Sequence, residues 1–191
     1  MQPGEAIGLL WIGFAASWLA AAPWSSRIEK RAGLRTELTY RLPLIVGGAV
    51  FLILAHHDVG PLRLWHVTRA EAWACVGAII LGFAFSWWAR LQLGSLWSGP
   101  ITKKADHRVI DTGPYGIVRH PIYTGILLAV FATAAAKGTV MGLGAALLIT
   151  LGMWMKARLE ERWLRQELDE SAYDAYSRRV PMLLPFFKRS S

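Results

Sequence analysis

Residues 111–125 read D-T-G-P-Y-G-I-V-R-H-P-I-Y-T-G, with Arg119 and His120 standing directly before Pro121. Proline fixes φ and lacks an N–H, so it fits the first turn of a helix and breaks a helix interior. Pro121 is therefore expected to open the apolar helix that follows, leaving Arg119 and His120 just outside its N-terminus. Such an end carries unpaired N–H groups and a partial positive charge, which suits an anion. Gly125, one turn further on, would let another group approach the backbone closely. A plainer reading is a basic interfacial turn that anchors a membrane helix. Composition alone does not separate the two.

The second stretch with chemical content is the tail, 156–187. Lys156 and Glu160 are four apart, as are Glu161 and Arg165, so each pair is expected to share a helical face. Leu159, Trp163 and Leu164 would form the apolar face of that helix. Tyr173 and Tyr176 follow three apart, then Arg178-Arg179-Val180-Pro181. Charges of this kind often do no more than solvate a helix. For the two tyrosines the plain alternative is an aromatic belt at a membrane interface.

The elements that must position these stretches are apolar. The chain has 191 residues, 54% of them hydrophobic, with ten Trp, yet a net charge of +8. One domain suffices for that length. Basicity can signal nucleic acid, but here it is interrupted by long uncharged apolar runs, which is the pattern of a membrane protein and argues against a nucleic-acid partner. The lone Cys75 allows no internal disulfide.

Five spans are expected, at about 6–24, 42–55, 72–89, 122–136 and 139–155. The first has no Lys or Arg before it and basic residues after it, which argues for a retained span rather than a cleaved signal. Only Lys137 and Gly138 separate the last two, so they are expected to pack side by side as an antiparallel hairpin through their small residues. From N- to C-terminus, Lys plus Arg in the six non-membrane segments number zero, five, two, five, one and eight. By the positive-inside rule the N-terminus lies outside. The first loop, segment 90–119 and the tail then lie in the cytoplasm. His56, His57 and His66 fall on the opposite side and match no metal spacing, so a loop role is expected of them and no metal site.

R-H-P-I-Y-T-G after G-P-Y, then E-E-R-W-L, then Y-D-A-Y-S-R-R-V-P-M-L-L-P, resembles the isoprenylcysteine carboxyl methyltransferase family in order and spacing. The resemblance covers about residues 93–187. Integral-membrane phospholipid methyltransferases share much of the pattern. Sterol reductases of the lamin B receptor type share R-H-P-x-Y-x-G and a similar ending, but normally carry more spans upstream. The resemblance implies an all-α integral membrane enzyme whose S-adenosylmethionine pocket is formed by the last helical hairpin and adjoining cytosolic segments. Residues 1–89 would be three N-terminal spans and 90–191 the catalytic region of a single membrane domain. The chain has no glycine-rich strand-to-helix fingerprint, so a Rossmann-type methyltransferase is not supported.

By resemblance, His107, Arg108, Val109 and Ile110 line the nucleoside, and Tyr115, His120, Pro121, Ile122, Tyr123 and Glu160 complete the cofactor site. Whether Glu160 or Glu161 faces the cofactor is open by one residue. The residue types suit such a ligand, with His120 and the helix end for a carboxylate, Glu160 for an ammonium and tyrosine faces for positive charge. Arginine binds a carboxylate bidentately, which makes Arg119 and Arg179 the candidates to grip an acceptor. Lys156 and Tyr176 join Arg179 as acceptor-binding candidates. The expected function is methyl transfer to a small lipophilic acceptor at the membrane interface, with an isoprenylcysteine-type carboxylate favoured. Phospholipid N-methylation and an NADPH-dependent sterol-reductase-like activity are the alternatives. Asp169 stands where the family usually has Gly, so a shifted turn is expected there. Lys156 stands where eukaryotic members have Arg, so the acceptor grip is expected to differ.

Overall fold

The computed structural model describes residues 1–24, 28–31, 34–56, 63–94, 97, 102–104, 110–167 and 170–185. Its helices are α1 (Pro3–Ala20), α2 (Leu34–His56), α3 (Arg69–Leu93), α4 (Pro121–Lys137), α5 (Val140–Glu167) and α6 (Glu170–Arg179). Two short strands, β1 (Ile28–Arg31) and β2 (Thr102–Lys104), form an antiparallel ribbon. The architecture is thus helical apart from that ribbon, which ties the loop after α1 to the segment after α3. Two segments expected on the same side of a membrane are joined by it.

Local sequence explains most helix ends. At α1, Glu5 accepts a hydrogen bond from the Gln2 amide (2.9 Å), with Pro3 in the first turn. At α3, Thr68 and Glu71 form a reciprocal cap: the Glu71 amide donates to the Thr68 hydroxyl at 3.3 Å and the Thr68 amide to the Glu71 carboxylate at 2.7 Å. Pro121 does open α4. Gly138 ends it with φ +62°, where a Cβ would also meet the Trp65 backbone. The Trp65 indole donates to the Ala135 carbonyl (3.0 Å), seating the loop before α3 on that link.

Two helices differ from the expected spans for physical reasons. α2 begins at Leu34 rather than near 42 and passes through Pro43. Its first turns are polar, so a hydropathy reading misses them. α5 runs unbroken through the apolar stretch into the charged one, 28 residues in all. At 1.5 Å per residue that is about 42 Å, longer than a hydrocarbon core of about 30 Å, so the end from Lys156 onward extends beyond the apolar segment. Among the described residues, α3 and α5 are the helices both long and apolar enough to cross a bilayer, and α4 is apolar but shorter.

The helix pairing also differs from a simple C-terminal hairpin. α4 packs most extensively on α3, and α5 on α2, with the α4–α5 contact smaller. Gly82 and Gly125 explain the first pair, since a Cβ on either would strike the other's carbonyl. The Ser86 hydroxyl, wholly buried there, donates to the carbonyls of Gly82 and Ile122 at 3.0 and 3.1 Å. α1 joins through Phe14, stacked on Phe83 at 4.1 Å, and through the Trp11 indole, which donates to Thr133 at 3.1 Å. Large apolar side chains such as Ile12, Leu52 and Leu81 stand exposed on the outside of the bundle. A surface of that kind matches lipid rather than water.

Candidate functional site

The site is built at the end of the bundle where α4 begins and α5 turns polar. A 3-10 turn, Gly113–Gly116, leads into it, with Gly113 at φ +58°. That turn buries Tyr115 beside Ala89 and Ile122, with Ile110 packed against the cluster. Below it, Arg90 is buried to 1% exposure. Its guanidinium donates to the carbonyls of Gly94 (2.7 Å), Ala21 (3.0 Å) and Trp24 (3.2 Å) and lies over Trp97 at 4.3 Å. A cation is favourable there because the C-terminal ends of α1 and α3 expose carbonyls. Arg90 escaped sequence reasoning, where it was one more positive-inside charge.

His120 occupies the N-cap position of α4, and its side chain stands between two carboxylates of α5. Its Nδ1 is 3.6 Å from Glu160 Oε2 and its Nε2 is 3.3 Å from Glu161 Oε1. Its ring stacks on Tyr123, centroids 5.3 Å apart and planes 7° apart. The Tyr123 hydroxyl lies 2.8 Å from both oxygens of Glu160. Lys156, one turn earlier on α5, holds its Nζ 3.7 Å from Glu160 Oε1.

Glu161 has a different company. Arg119 Nε donates to it at 2.7 Å, and Arg119 Nη1 donates to the carbonyls of Ser177 (2.8 Å) and Val180 (2.6 Å) at the end of α6. Burial alone would raise the Glu161 carboxyl, but hydrogen bonds from His120 and Arg119 and their charges outweigh it, holding it at about 2. The expected helix pair of Glu161 with Arg165 does not form. Arg165 reaches Asp174 instead, at 2.9 Å, because Arg119 takes Glu161.

The tail zips onto the same turn. The amides of Arg119 and His120 donate to the carbonyls of Pro181 (2.9 Å) and Met182 (3.1 Å), and the Thr124 hydroxyl donates to Leu183 (2.6 Å). Two amides just before α4 are therefore occupied by the chain itself. Tyr173, Tyr176 and Val180 pack with Leu164 as a buried cluster rather than an exposed aromatic belt. The Tyr176 hydroxyl donates to the Tyr115 carbonyl at 2.8 Å. Burial pushes the phenols of Tyr115, Tyr173 and Tyr176 well above their ordinary value, so they act as neutral groups.

The structure thus brings together Tyr115, His120, Pro121, Ile122, Tyr123, Lys156, Glu160 and Glu161. It leaves Arg179 on the surface, 66% exposed and 3.0 Å from Asp111. Arg178 is exposed as well, so neither of the two arginines points inward. His107, Arg108 and Val109, like His57 and Asp169, lie outside the described residues. Tyr40 of α2, buried to 3%, was missed. Its only signal was position, an aromatic just before an apolar run.

The arrangement offers one carboxylate held by a neutral phenol, one locked to a guanidinium, and a cation beside aromatic faces. Such a donor set offers an exchangeable carboxylate to a cationic group and a cation to an anionic one. The family described as phospholipid methyltransferase matches residues 70–171, a little over half of the chain. A methanethiol S-methyltransferase from Pseudomonas deceptionensis is 41% identical over 76 residues. That match takes in 40% of this chain and 28% of the relative's length. The match is to methyl-transferring enzymes, which sets aside the sterol-reductase alternative. This chain, with its bundle of apolar helices and its cluster at the head of α4, belongs to the phospholipid methyltransferase family of integral-membrane methyltransferases.

Proposed function

We propose that the chain transfers a methyl group from S-adenosylmethionine to a small lipophilic acceptor at the membrane interface. The observation that carries this reading is Glu160. It is a largely buried carboxylate whose close partner is a neutral phenol, set among His120, Tyr123 and Lys156. When bound, the cofactor would supply a methyl activated by positive sulfur. Glu160 would hold its ammonium, and the stacked His120 and Tyr123 rings would wall the pocket. Ile110 and the residues before it, 107–109, would border the nucleoside. Arg119 acts as a positioning residue that locks the turn to α5 and the tail. For a carboxylate acceptor the remaining work of the site is alignment and exclusion of water rather than proton transfer, because a carboxylate is already ionised at neutral pH, whereas a thiol must also lose its proton.

A carboxylate of isoprenylcysteine type and a small thiol are the acceptors this reading favours, the thiol because the bacterial relative is a methanethiol S-methyltransferase. Phospholipid N-methylation is the second reading, supported by the family's description. For orientation, the β1–β2 ribbon and the tail's bonds to Arg119 and His120 support placing the first loop, the site and the C-terminal tail on one side. The alternating Lys and Arg counts favour the cytoplasm for that side, with the N-terminus outside. The test is titration of the purified chain with S-adenosylhomocysteine and with NADPH. Labelled S-adenosylmethionine is then offered with carboxylate, thiol and amine acceptors. Saturable binding of S-adenosylhomocysteine without NADPH binding, and label in one acceptor class, is the expected result. Binding of NADPH alone would sink the reading.

A further inference from the structure

Three cations were candidates to meet an acceptor, and the structure separates them. Arg119 is spent on Glu161 and two tail carbonyls, and Arg179 lies on the surface. Lys156 stands beside Glu160, its side chain 14% exposed. Two tyrosine rings from different helices flank its ammonium, Tyr123 of α4 at 5.2 Å and Tyr40 of α2 at 5.8 Å. Both lie within the roughly 6 Å over which a ring face attracts a cation. α2 is held against α5 closely enough for this, since a Cβ on Gly47 would sit 2.8 Å from Ile149 and one on Gly152 2.7 Å from Leu44. α2 lies outside the family-matched residues 70–171.

We propose that Tyr40 is a positioning residue which, with Tyr123, clamps the Lys156 ammonium beside Glu160, making Lys156 the group that meets an anionic acceptor. The proposal rests on the methyl-transfer reading above. Its charge logic is simple. His120 aside, the charges of Arg119, Lys156, Glu160 and Glu161 sum to zero. A bound cofactor with an ammonium, a carboxylate and a sulfonium would add one net positive charge to this cluster, beside Lys156. An acceptor carboxylate or thiolate neutralises that surplus, whereas a protonated amine adds to it.

The test uses the full chain in detergent micelles, as wild type, Tyr40→Leu, Tyr40→Phe, Lys156→Met and the double variant Tyr40→Leu/Lys156→Met. Tyr40→Met replaces Tyr40→Leu if the latter does not fold. The first readout needs no activity: the rate at which acetic anhydride acylates Lys156, followed by mass spectrometry. The second is kcat and KM for an S-farnesylcysteine carboxylate, ethanethiol and phosphatidylethanolamine. Tyr40→Leu is expected to speed acylation several-fold and to raise KM for the anionic acceptor by about tenfold, the scale of a desolvated cation–π contact. Tyr40→Phe keeps the ring and should recover most of both losses. In the Lys156→Met background Tyr40→Leu should add nothing. Unchanged acylation in Tyr40→Leu, a Phe variant as impaired as Leu, or an equal loss without Lys156 would each overturn the proposal. Wild-type chain that methylates only the amine also overturns it while leaving methyl transfer standing. Failure to bind S-adenosylhomocysteine removes the methyl-transfer reading instead, and acylation still decides the clamp.

Discussion

Glu160 and Glu161 are neighbours on one helix, each largely buried, yet they sit in two different regions of the site. Successive residues on a helix point about 100° apart, so the two carboxylates share His120 but otherwise meet different partners. Glu161 is drawn into a latch of Arg119, His120 and the carbonyls of Ser177 and Val180, which ties α5, the turn before α4 and the tail together. Glu160 faces a phenol at 2.8 Å and an ammonium at 3.7 Å, contacts that a ligand's own ammonium can replace. The difference teaches that the same side chain is structural where a guanidinium saturates it, and, in the proposed function, a binding group where exchangeable partners meet it. On this reading Glu160, not Glu161, faces the cofactor.

The largest expected effect comes from breaking the latch. Glu161→Gln leaves the Arg119 charge buried without its counter-ion, and should cost about 3 kcal/mol of stability, read as a lowered thermal unfolding midpoint in detergent. Its acid behaviour sharpens the contrast. The Glu161 carboxyl is lowered from an ordinary 4.5 to about 2, so its contribution is fully present above 4.5 and is lost as pH falls toward 2. Stability of wild type should decline through that window by more than that of Glu161→Gln. Equal stability and equal acid profiles would break the latch side of the comparison.

Glu160→Gln should behave in the opposite sense. Unfolding should change by less than about 1 kcal/mol, while S-adenosylhomocysteine binding weakens by about 1.5–3 kcal/mol, the scale of a hydrogen bond to a charged group. Isothermal titration on the folded variant measures it. A variant that binds normally but unfolds early would reverse the roles assigned to the two carboxylates. Arg179→Ala should have the smallest effect. Its pair with Asp111 is exposed, and such pairs contribute about 0–1 kcal/mol. A large loss of methyl transfer at unchanged stability would return to Arg179 the acceptor grip that its sequence neighbourhood suggested.

Much of this site was legible in the sequence. Pro121 marked the start of α4, Lys137-Gly138 the end of it, and the order of G-P-Y, R-H-P-I-Y-T-G, E-E and Y-x-x-Y singled out segments that the fold brings into contact. Those signals depend on φ restriction, capping and apolar runs, which act within a turn or two of the residue concerned. Helix existence and the turn were therefore readable one residue at a time.

Partner choice was not. Arg119 and Glu161 are 42 positions apart, Tyr176 and Tyr115 are 61 apart, and Thr124 reaches Leu183 across 59. The tail's capture of two amides just before α4 has no local signature, since any carbonyl can accept. Lys156 could be matched to Glu160 by helical spacing, but its place between Tyr40 and Tyr123 required α2 to pack on α5 and α4 on α3. Sequence by itself determined the apolar helices, their caps and the chemical types gathered near Pro121, because local sterics and solvation act on short stretches. Which carboxylate is locked, which stays exchangeable and which cation stands beside it were decided only by the tertiary structure, because a buried charge is governed by whatever neighbour the packing of distant helices delivers.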